Sequence, residues 1–283
     1  MARRLTVKKS NALVNASYTI SLTEQRMILL AIATAGGKAD VPLQINASTY
    51  ADQFGVTRHA AYEALREASL TLFERRFTFQ EDTPKGLKTT LSRWVSHVSY
   101  AEGAGYVELM FSPHVQPLLC ELERKFTHYA LEQVSALTSV YAIRLYELLI
   151  SWRSVGKTPV VHISEFRERL GVEEGEYRRM TDFKRWVLDS AIDQINQHTD
   201  ITARYEQHKT GRSITGFSFS FSAKDLKRDP NTVDLLTGHT DAEMGKPRRQ
   251  IITKKKAEGM ARPGESYEDL YRRLSRDYII KAA

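Results

Sequence analysis

One pattern is written twice in this chain, so any fold it adopts must house the pattern twice. "STYADQFGVTRHAAYEALREASLTLF", residues 48–73, is echoed by "SEFRERLGVEEGEYRRMTDFKRWVLDSAIDQIN", residues 164–196. Each is a short helical pattern that stops at a glycine and is followed by a longer one. Upstream, "SLT" at 21–23 leads into "EQRMILLAIAT", and "ALT" at 136–138 leads into "SVYAIRLYELLIS". Thr23 precedes Val56 by 33 positions and Thr138 precedes Val172 by 34, so the landmarks are offset by 115 and 116 residues. Matching order and spacing across two landmark pairs point to a duplicated domain rather than to chance.

Each copy has the same order of elements. An apolar-periodic helix comes first, with Met27, Leu30 and Ile32 in copy one and Leu145, Leu148, Leu149 and Trp152 in copy two. A short strand follows, "VPLQI" or "PVVHI". Next is a short helix that starts at an Asn or Ser cap and ends at a glycine, "NASTYADQFG" and "SEFRERLG". Then come a longer helix and β-rich stretches. In copy two these are "ITARYEQHK" and "ITGFSFSFS", joined by the hairpin signal "TGRS". Phe217, Phe219 and Phe221 share one strand face, with Ser218 and Ser220 on the other, and the phenylalanine stripe is expected in the core. Helix, strand, helix, helix, hairpin is the order of a winged helix. The expected fold is α+β, with two tandem winged-helix domains at 10–125 and 126–222 and a tail at 223–283. The tail holds 14 Lys and Arg against 10 Asp and Glu. It reads as a basic linker and one amphipathic helix, "GESYEDLYRRLSRDYII", with Tyr267, Leu270, Tyr271 and Leu274 on a face.

The net charge of +7 favours an acidic partner, nucleic acid before membrane. A single cysteine, Cys120 in "PLLCEL", excludes an internal disulfide framework and fits a reducing, cytoplasmic setting; it reads as a buried small hydrophobe. No signal-peptide pattern follows the basic "MARRLTVKKS", and no apolar run approaches the ~20 residues of a membrane span, so no membrane partner is expected. Enzyme signatures fail. "SVGKTPV" has Ser151 where a phosphate-binding loop needs its first glycine, and it leaves a helix for a strand, the reverse of the required context. No His-x-His, HExxH or second cysteine marks a metal site, and no tyrosine stands beside a base. Neither catalysis nor a cofactor or metal is expected.

DNA recognition has support with a mechanism, because the second helix of a helix-turn-helix enters the major groove N-terminal end first. In copy two that helix begins near Thr181. Phe183, Val187, Leu188, Ala191, Ile192 and Ile195 form its apolar stripe, and Lys184, Arg185 and Asp189 lie off the stripe. Arg178 and Arg179 stand just before it. Arg gives paired hydrogen bonds to guanine, and Lys and Arg both contact phosphate. Lys209 and Arg212 flank the wing tip. Copy one is weaker: its helix offers Arg58, His59 and Arg66 with Glu63 and Glu67 interposed, and its wing candidate "TPKGLKTTLSR" carries Lys85, Lys88 and Arg93. The copies have diverged, with copy two expected to read sequence and copy one to hold backbone or a second protomer. The crowded apolar run of Met27, Ile28, Leu29, Leu30 and Ile32 makes that helix a candidate for pairing with another copy.

"LTEQRMILLAIA", "SALTSVYAIRLYELLISW", "FRERLGV" and "YRRMTDFKRWVLDSAIDQINQHTDI" followed by "GRSITGFSFSF" together resemble the replication initiators of iteron-containing plasmids, over about residues 5–222. The resemblance implies two winged-helix domains on one chain. It also implies binding to direct repeats of double-stranded DNA at a replication origin, and autorepression by a dimer on an inverted repeat at the promoter. The second domain would make the main sequence-specific contacts, and the first would supply dimerisation and auxiliary DNA contact. A host replication initiator and helicase are the further partners implied. A winged-helix transcription factor without a replication role, and a DNA nickase, are the alternatives.

Overall fold

The computed structural model describes residues 5–101, 103–120, 126–224, 250–253 and 278–281. Strand β1 (Thr6–Ser10) leads into a single turn, α1 (Asn11–Val14), capped by the Ser10 side chain. Helix α2 (Leu22–Ala35) opens on a capping box. The Ser21 hydroxyl accepts from the Glu24 amide at 3.2 Å, and the Glu24 carboxylate accepts from the Ser21 amide at 2.6 Å. It stops at Gly36, whose left-handed backbone (φ 59°) is a conformation that glycine adopts without strain. Strand β2 (Leu43–Asn46), helix α3 (Ala47–Phe54) and helix α4 (Arg58–Glu74) follow, with Thr57 capping α4. Strands β3 (Arg76–Thr83), β4 (Gly86–Arg93), β5 (Val95–Tyr100) and β6 (Tyr106–Phe111) and the short helix α5 (Gln116–Cys120) complete copy one. The Cys120 side chain lies outside the described residues.

Copy two runs through β7 (Phe126–Ala130), α6 (Glu132–Ser135), α7 (Val140–Ile150), β8 (Val161–His162) and α8 (Ile163–Leu170). A composite helix comes next: α9 (Met180–Asp182), a π-helical segment over Phe183–Asp189, and α10 (Ser190–His198). The hairpin β9 (Ile201–Thr210) and β10 (Ser213–Ala223) closes the copy. The duplication expected from sequence is present in the topology. One three-stranded sheet has the order β2-β6-β5 and the other β8-β10-β9, each with a helix pair beside it. Phe217, Phe219 and Phe221 are buried as expected, and Phe166 packs 5.3 Å, centroid to centroid, from Phe219.

Several local expectations need correction. The cap of α8 is His162, whose Nδ1 accepts from the Ser164 amide at 3.4 Å, rather than Ser164 itself. Helix α7 ends at Ile150, so Trp152 lies beyond it and is 38% exposed. The apolar run of helix α2 is enclosed by its own chain: Met27, Ile28, Leu29, Leu30 and Ile32 are all at most 5% exposed, so this run offers no face to a second copy. In the tail, residues 225–249 and 254–277 lie outside the described residues, including the expected helix face of Tyr267, Leu270, Tyr271 and Leu274. Tyr278–Ile280, expected at the end of that helix, belong instead to a strand. It is β12 (Tyr278–Lys281), paired in parallel with β11 (Gln250–Thr253).

The two copies share one apolar core, and a buried ionic cluster sits where they meet. Counting 115 residues on from Leu29 and Ile32 leads to Arg144 and Glu147, so copy two carries charges at positions that copy one fills with aliphatics. Both are buried, and Lys9 from β1 joins them. Glu147 lies 2.7 Å from Lys9 Nζ, accepts from the Tyr129 hydroxyl at 2.6 Å and stands 4.0 Å from Arg144. Burial, with Glu147 alongside, pushes the Tyr129 phenol well up, which keeps it a neutral donor. Arg144 donates to the Tyr18 hydroxyl, to the Ala16 carbonyl at 2.7 Å and through Nε to the Arg169 carbonyl at 2.9 Å. Its guanidinium also lies 3.9 Å over the Tyr18 ring, which meets Trp94 edge-on at 4.8 Å. β1 pairs with β7 in full register from Thr6↔Ala130 to Ser10↔Phe126, tying residues at the start of copy one to the start of copy two.

The glycines that end the short helices, Gly55 and Gly171, are 116 residues apart and both left-handed (φ 67° and 77°). A Cβ on Gly55 meets nothing within 4 Å, whereas one on Gly171 would stand 2.4 Å from the Tyr18 carbonyl oxygen. Gly55→Ala is therefore expected to cost about 1–2 kcal/mol from backbone conformation. Gly171→Ala should cost more, because the 18–19 segment must also move. Glu147→Ala should destabilise by about 3–5 kcal/mol, because it leaves Lys9 buried without its counter-charge. Glu165→Ala breaks the part-exposed pair with Arg169 and should cost no more than about 1 kcal/mol. Urea unfolding of the four variants beside the parent checks both rankings.

Candidate nucleic-acid interface

The composite helix from Met180 to His198 presents two faces. Phe183, Val187, Leu188, Ala191, Ile192 and Ile195 are buried, as the apolar stripe requires. Thr181, Arg185 and Trp186 are exposed on the other side, and Arg178 and Arg179 are exposed just ahead of the first turn. Arg179 is the residue that caps α9, with extended backbone (φ −77°, ψ 130°). The chain reaches it through a turn over Glu173–Tyr177, in which the Glu173 amide donates to the Glu176 carboxylate at 3.1 Å. Tyr177 holds φ 42°, an uncommon conformation for a residue with a side chain. Tyr141 also donates to Glu176 at 3.3 Å, so this acidic side chain is turned toward the fold.

The wing is fastened to the helix by named contacts. Lys184 Nζ donates to Gln207 Oε1 at 3.2 Å and lies 5.8 Å over the Tyr205 ring, while the Tyr205 hydroxyl donates to Asp189 at 2.7 Å. Burial and the Asp189 carboxylate push the Tyr205 phenol up. Lys184 and Asp189, expected to face outward, are instead links between helix and wing. Tyr205, Gln207 and Lys209 alternate onto one face of β9, so Lys209 continues the row that touches the helix. Thr210 pairs with Ser213 across the tip, where Gly211 takes φ 61° and Arg212 projects into solvent. The side chains of Arg178, Arg179, Lys209 and Arg212 make no hydrogen bond or ion pair among the described residues. The Arg185 guanidinium lies over the ring of Trp186, 4.7 Å from its centroid.

Copy one is arranged differently. Sheet order makes β5–β6, not β3–β4, the counterpart of the copy-two wing, because β2-β6-β5 matches β8-β10-β9. The turn of that true counterpart, "AEGAG" at 101–105, carries no cation. Lys85 and Lys88 lie on an extra hairpin, β3–β4, whose base is anchored by Phe77 stacking 4.6 Å from Trp94. Arg93 stands at the base opposite Arg76. It donates to the Phe73 carbonyl at 2.6 Å and pairs with Glu74 at 2.8 Å. It is thus committed to the end of α4 and is not at a hairpin tip. Arg58 is exposed at the first residue of α4, but Tyr62 one turn on donates to the Ala101 carbonyl at 2.8 Å, and Arg66 lies 5.2 Å over Tyr100.

Sequence reasoning missed three features: the π-helical segment, the exposed Trp186 and the Lys184–Gln207 link. The apolar–polar alternation of the helix could have marked Trp186, since it falls off the buried stripe. No residue pattern announces the π turn. Among the described residues no helix is long and apolar enough to cross a membrane, and no group of three or more His, Cys, Asp or Glu could hold a metal ion.

Comparison with known proteins agrees with this arrangement. Residues 6–150 match the family model described as "Initiator Replication protein, WH1", and residues 162–221 match "Initiator Rep protein, WH2". A replication initiation protein of Escherichia coli is 26% identical over 207 residues, covering 70% of this chain and 64% of that one. The PI protein of Escherichia coli is 24% identical over 298 residues, covering 91% and 97% of the two chains. In structure, the chain is similar to the Pi initiator protein solved in complex with iteron DNA, with a TM-score of 0.66 at 22% identity over 80% of this chain and 100% of that one. That likeness shows the fold: two tandem winged-helix domains. With both domain models matched in order and covering most of its length, this chain belongs to the initiator replication protein family.

Proposed function

We propose that the protein is a plasmid replication initiator that binds direct repeats in double-stranded origin DNA, with its second winged-helix domain as the principal reader. One observation carries this reading. Exposed arginines, which make no hydrogen bond or ion pair among the described residues, crowd the N-terminal end of the composite helix, and a wing with Lys209 and Arg212 is fastened alongside it. A helix entering the major groove presents that end to base edges, while an adjacent basic hairpin reaches the phosphates. The solved Pi initiator, of the same fold, was crystallised with iteron DNA. Arg178, Arg179, Thr181 and Arg185 are the proposed base-side group. Lys209 and Arg212 are the proposed wing-side group, on a wing that Lys184 ties to the helix, with Arg58, Lys85 and Lys88 as auxiliary contacts from the first domain. The proposed role is binding rather than catalysis, in the cytoplasm, with a host replication initiator and helicase recruited to the origin.

Pairing of two copies, with repression of the protein's own promoter, completes the proposal. The extra hairpin suits this better than α2. β3 and β4 form a two-stranded sheet, and Leu87 and Leu91 on β4 are 61% and 64% exposed. An open strand edge with apolar side chains is a template for another strand. A two-fold dimer presents its reading helices in opposite directions and suits an inverted repeat, whereas monomers suit direct repeats.

The decisive experiment is replication in a host of a plasmid carrying only this gene and its flanking direct repeats. Failure to replicate, with promoter binding intact, would leave a transcription factor. Arg179→Ala is expected to weaken binding to a repeat by about 1–3 kcal/mol while sparing random duplex. Lys209→Ala and Arg212→Ala should weaken binding to both duplexes alike and reduce the salt slope by about one unit each. Competition binding across a salt series separates these outcomes. Leu91→Lys should lower dimer content, read by sedimentation, and relieve repression without loss of replication.

A further inference from the structure

We propose that Trp186 is a positioning residue for Arg185, holding its guanidinium flat and aimed outward so that it can make a paired contact with guanine. The inference rests on the DNA-reading role of the second domain and names a residue that role does not require. Trp186 is 56% exposed, unusual for the largest apolar side chain, and it is placed on the outer face of the helix that carries Arg185. The Arg185 guanidinium lies 4.7 Å from its ring centroid. Adjacent residues of an α-helix do not face each other. Here they do, within a π-helical turn spanning Phe183–Asp189. A π-helix has more residues per turn, so neighbours diverge by a smaller angle, and such turns recur at functional sites. Arginine stacks on aromatic faces through a planar cation that leaves its N–H edge free to donate. Stacked on Trp186, Arg185 therefore keeps its hydrogen-bonding edge available and loses less freedom on meeting a base. The other nearby cation, Lys184, is already tied to Gln207, which leaves Arg185 as the side chain that Trp186 serves.

The test uses the full chain and two duplexes: one selected by the parent protein from a random library, and a scrambled duplex of equal composition. Arg185→Ala, Trp186→Ala, Trp186→Phe and the double alanine variant are compared by the ratio of the two affinities. Trp186→Ala is expected to lower that ratio about tenfold, as Arg185→Ala does. The double variant should be no worse than either single one, and Trp186→Phe should restore most of the ratio. The salt slope should stay unchanged in Trp186→Ala, because an indole displaces no counterion. Unchanged discrimination, an equal loss on both duplexes, or additive losses in the double variant would each overturn the inference. Failure of the parent to prefer any selected duplex would instead overturn the DNA-reading role itself. Because Trp186 is exposed, the unfolding midpoint should not move; a loss of discrimination that tracked a lowered midpoint would assign Trp186 a structural role and reject this one.

Discussion

The junction between the two copies depends on one buried ionic cluster. Lys9, Arg144 and Glu147 lie within the core, where removing charges from water is costly unless every one is paired. Their partners come from separate parts of the chain: Ala16 and Tyr18 from the segment between α1 and α2, Tyr129 from β7, Arg169 from the end of α8. The ion pairs and hydrogen bonds of the cluster form only when β1, the 16–18 segment, β7, α7 and α8 are all in place. Apolar packing alone would tolerate sliding between these elements, whereas a buried cation with a forked set of donors does not. The cluster therefore contributes register more than net stability.

That register matters for the far side of copy two. Arg144 holds the Arg169 carbonyl at the end of α8, and Gly171 then passes under the Tyr18 carbonyl with no room for a Cβ. The turn that follows delivers the chain to Arg178 and Arg179. The Arg144 contacts and the start of the composite helix are thus only a few residues apart along the chain. A fault at the junction would move the arginines as well as lower stability, so stability and specificity should be measured together in any variant of this region.

The copies show how a duplicated fold diverges by small steps. The sheet order and the left-handed glycines at 55 and 171 are retained. In copy one α4 turns Tyr62 and Arg66 toward the β5–β6 hairpin, so two of its polar side chains are occupied within the domain. The extra β3–β4 hairpin displaces the cations from the topological wing. In copy two the wing hairpin is held through Tyr205 and Gln207, and Arg178, Arg179 and Arg212 make no hydrogen bond or ion pair among the described residues. The same scaffold presents different polar side chains in its two copies because those side chains have different partners within the fold.

The duplication, the element order and the apolar stripe from Phe183 to Ile195 are legible in the sequence alone. Hydrophobic periodicity and helix-stopping glycines are local signals, and a repeat compares them with themselves. The cationic crowding at Arg178–Arg185 and the hairpin at "TGRS" are legible for the same reason. What the tertiary structure decided is which polar side chains are already taken. Lys184 and Asp189 fall outside the apolar stripe and read as free, yet both are bound to the wing, and Arg93 reads as a wing residue although α4 claims it. The pattern of Met27 to Ile32 reads as surplus apolar surface, but the whole circumference is enclosed by elements distant in sequence. Arg144 and Glu147 read as ordinary helix charges until Lys9, more than 130 residues earlier, is brought against them. Periodicity tells which side of an element is apolar; only the packed chain tells what each remaining charge meets, because those partners are set by contacts far apart in sequence.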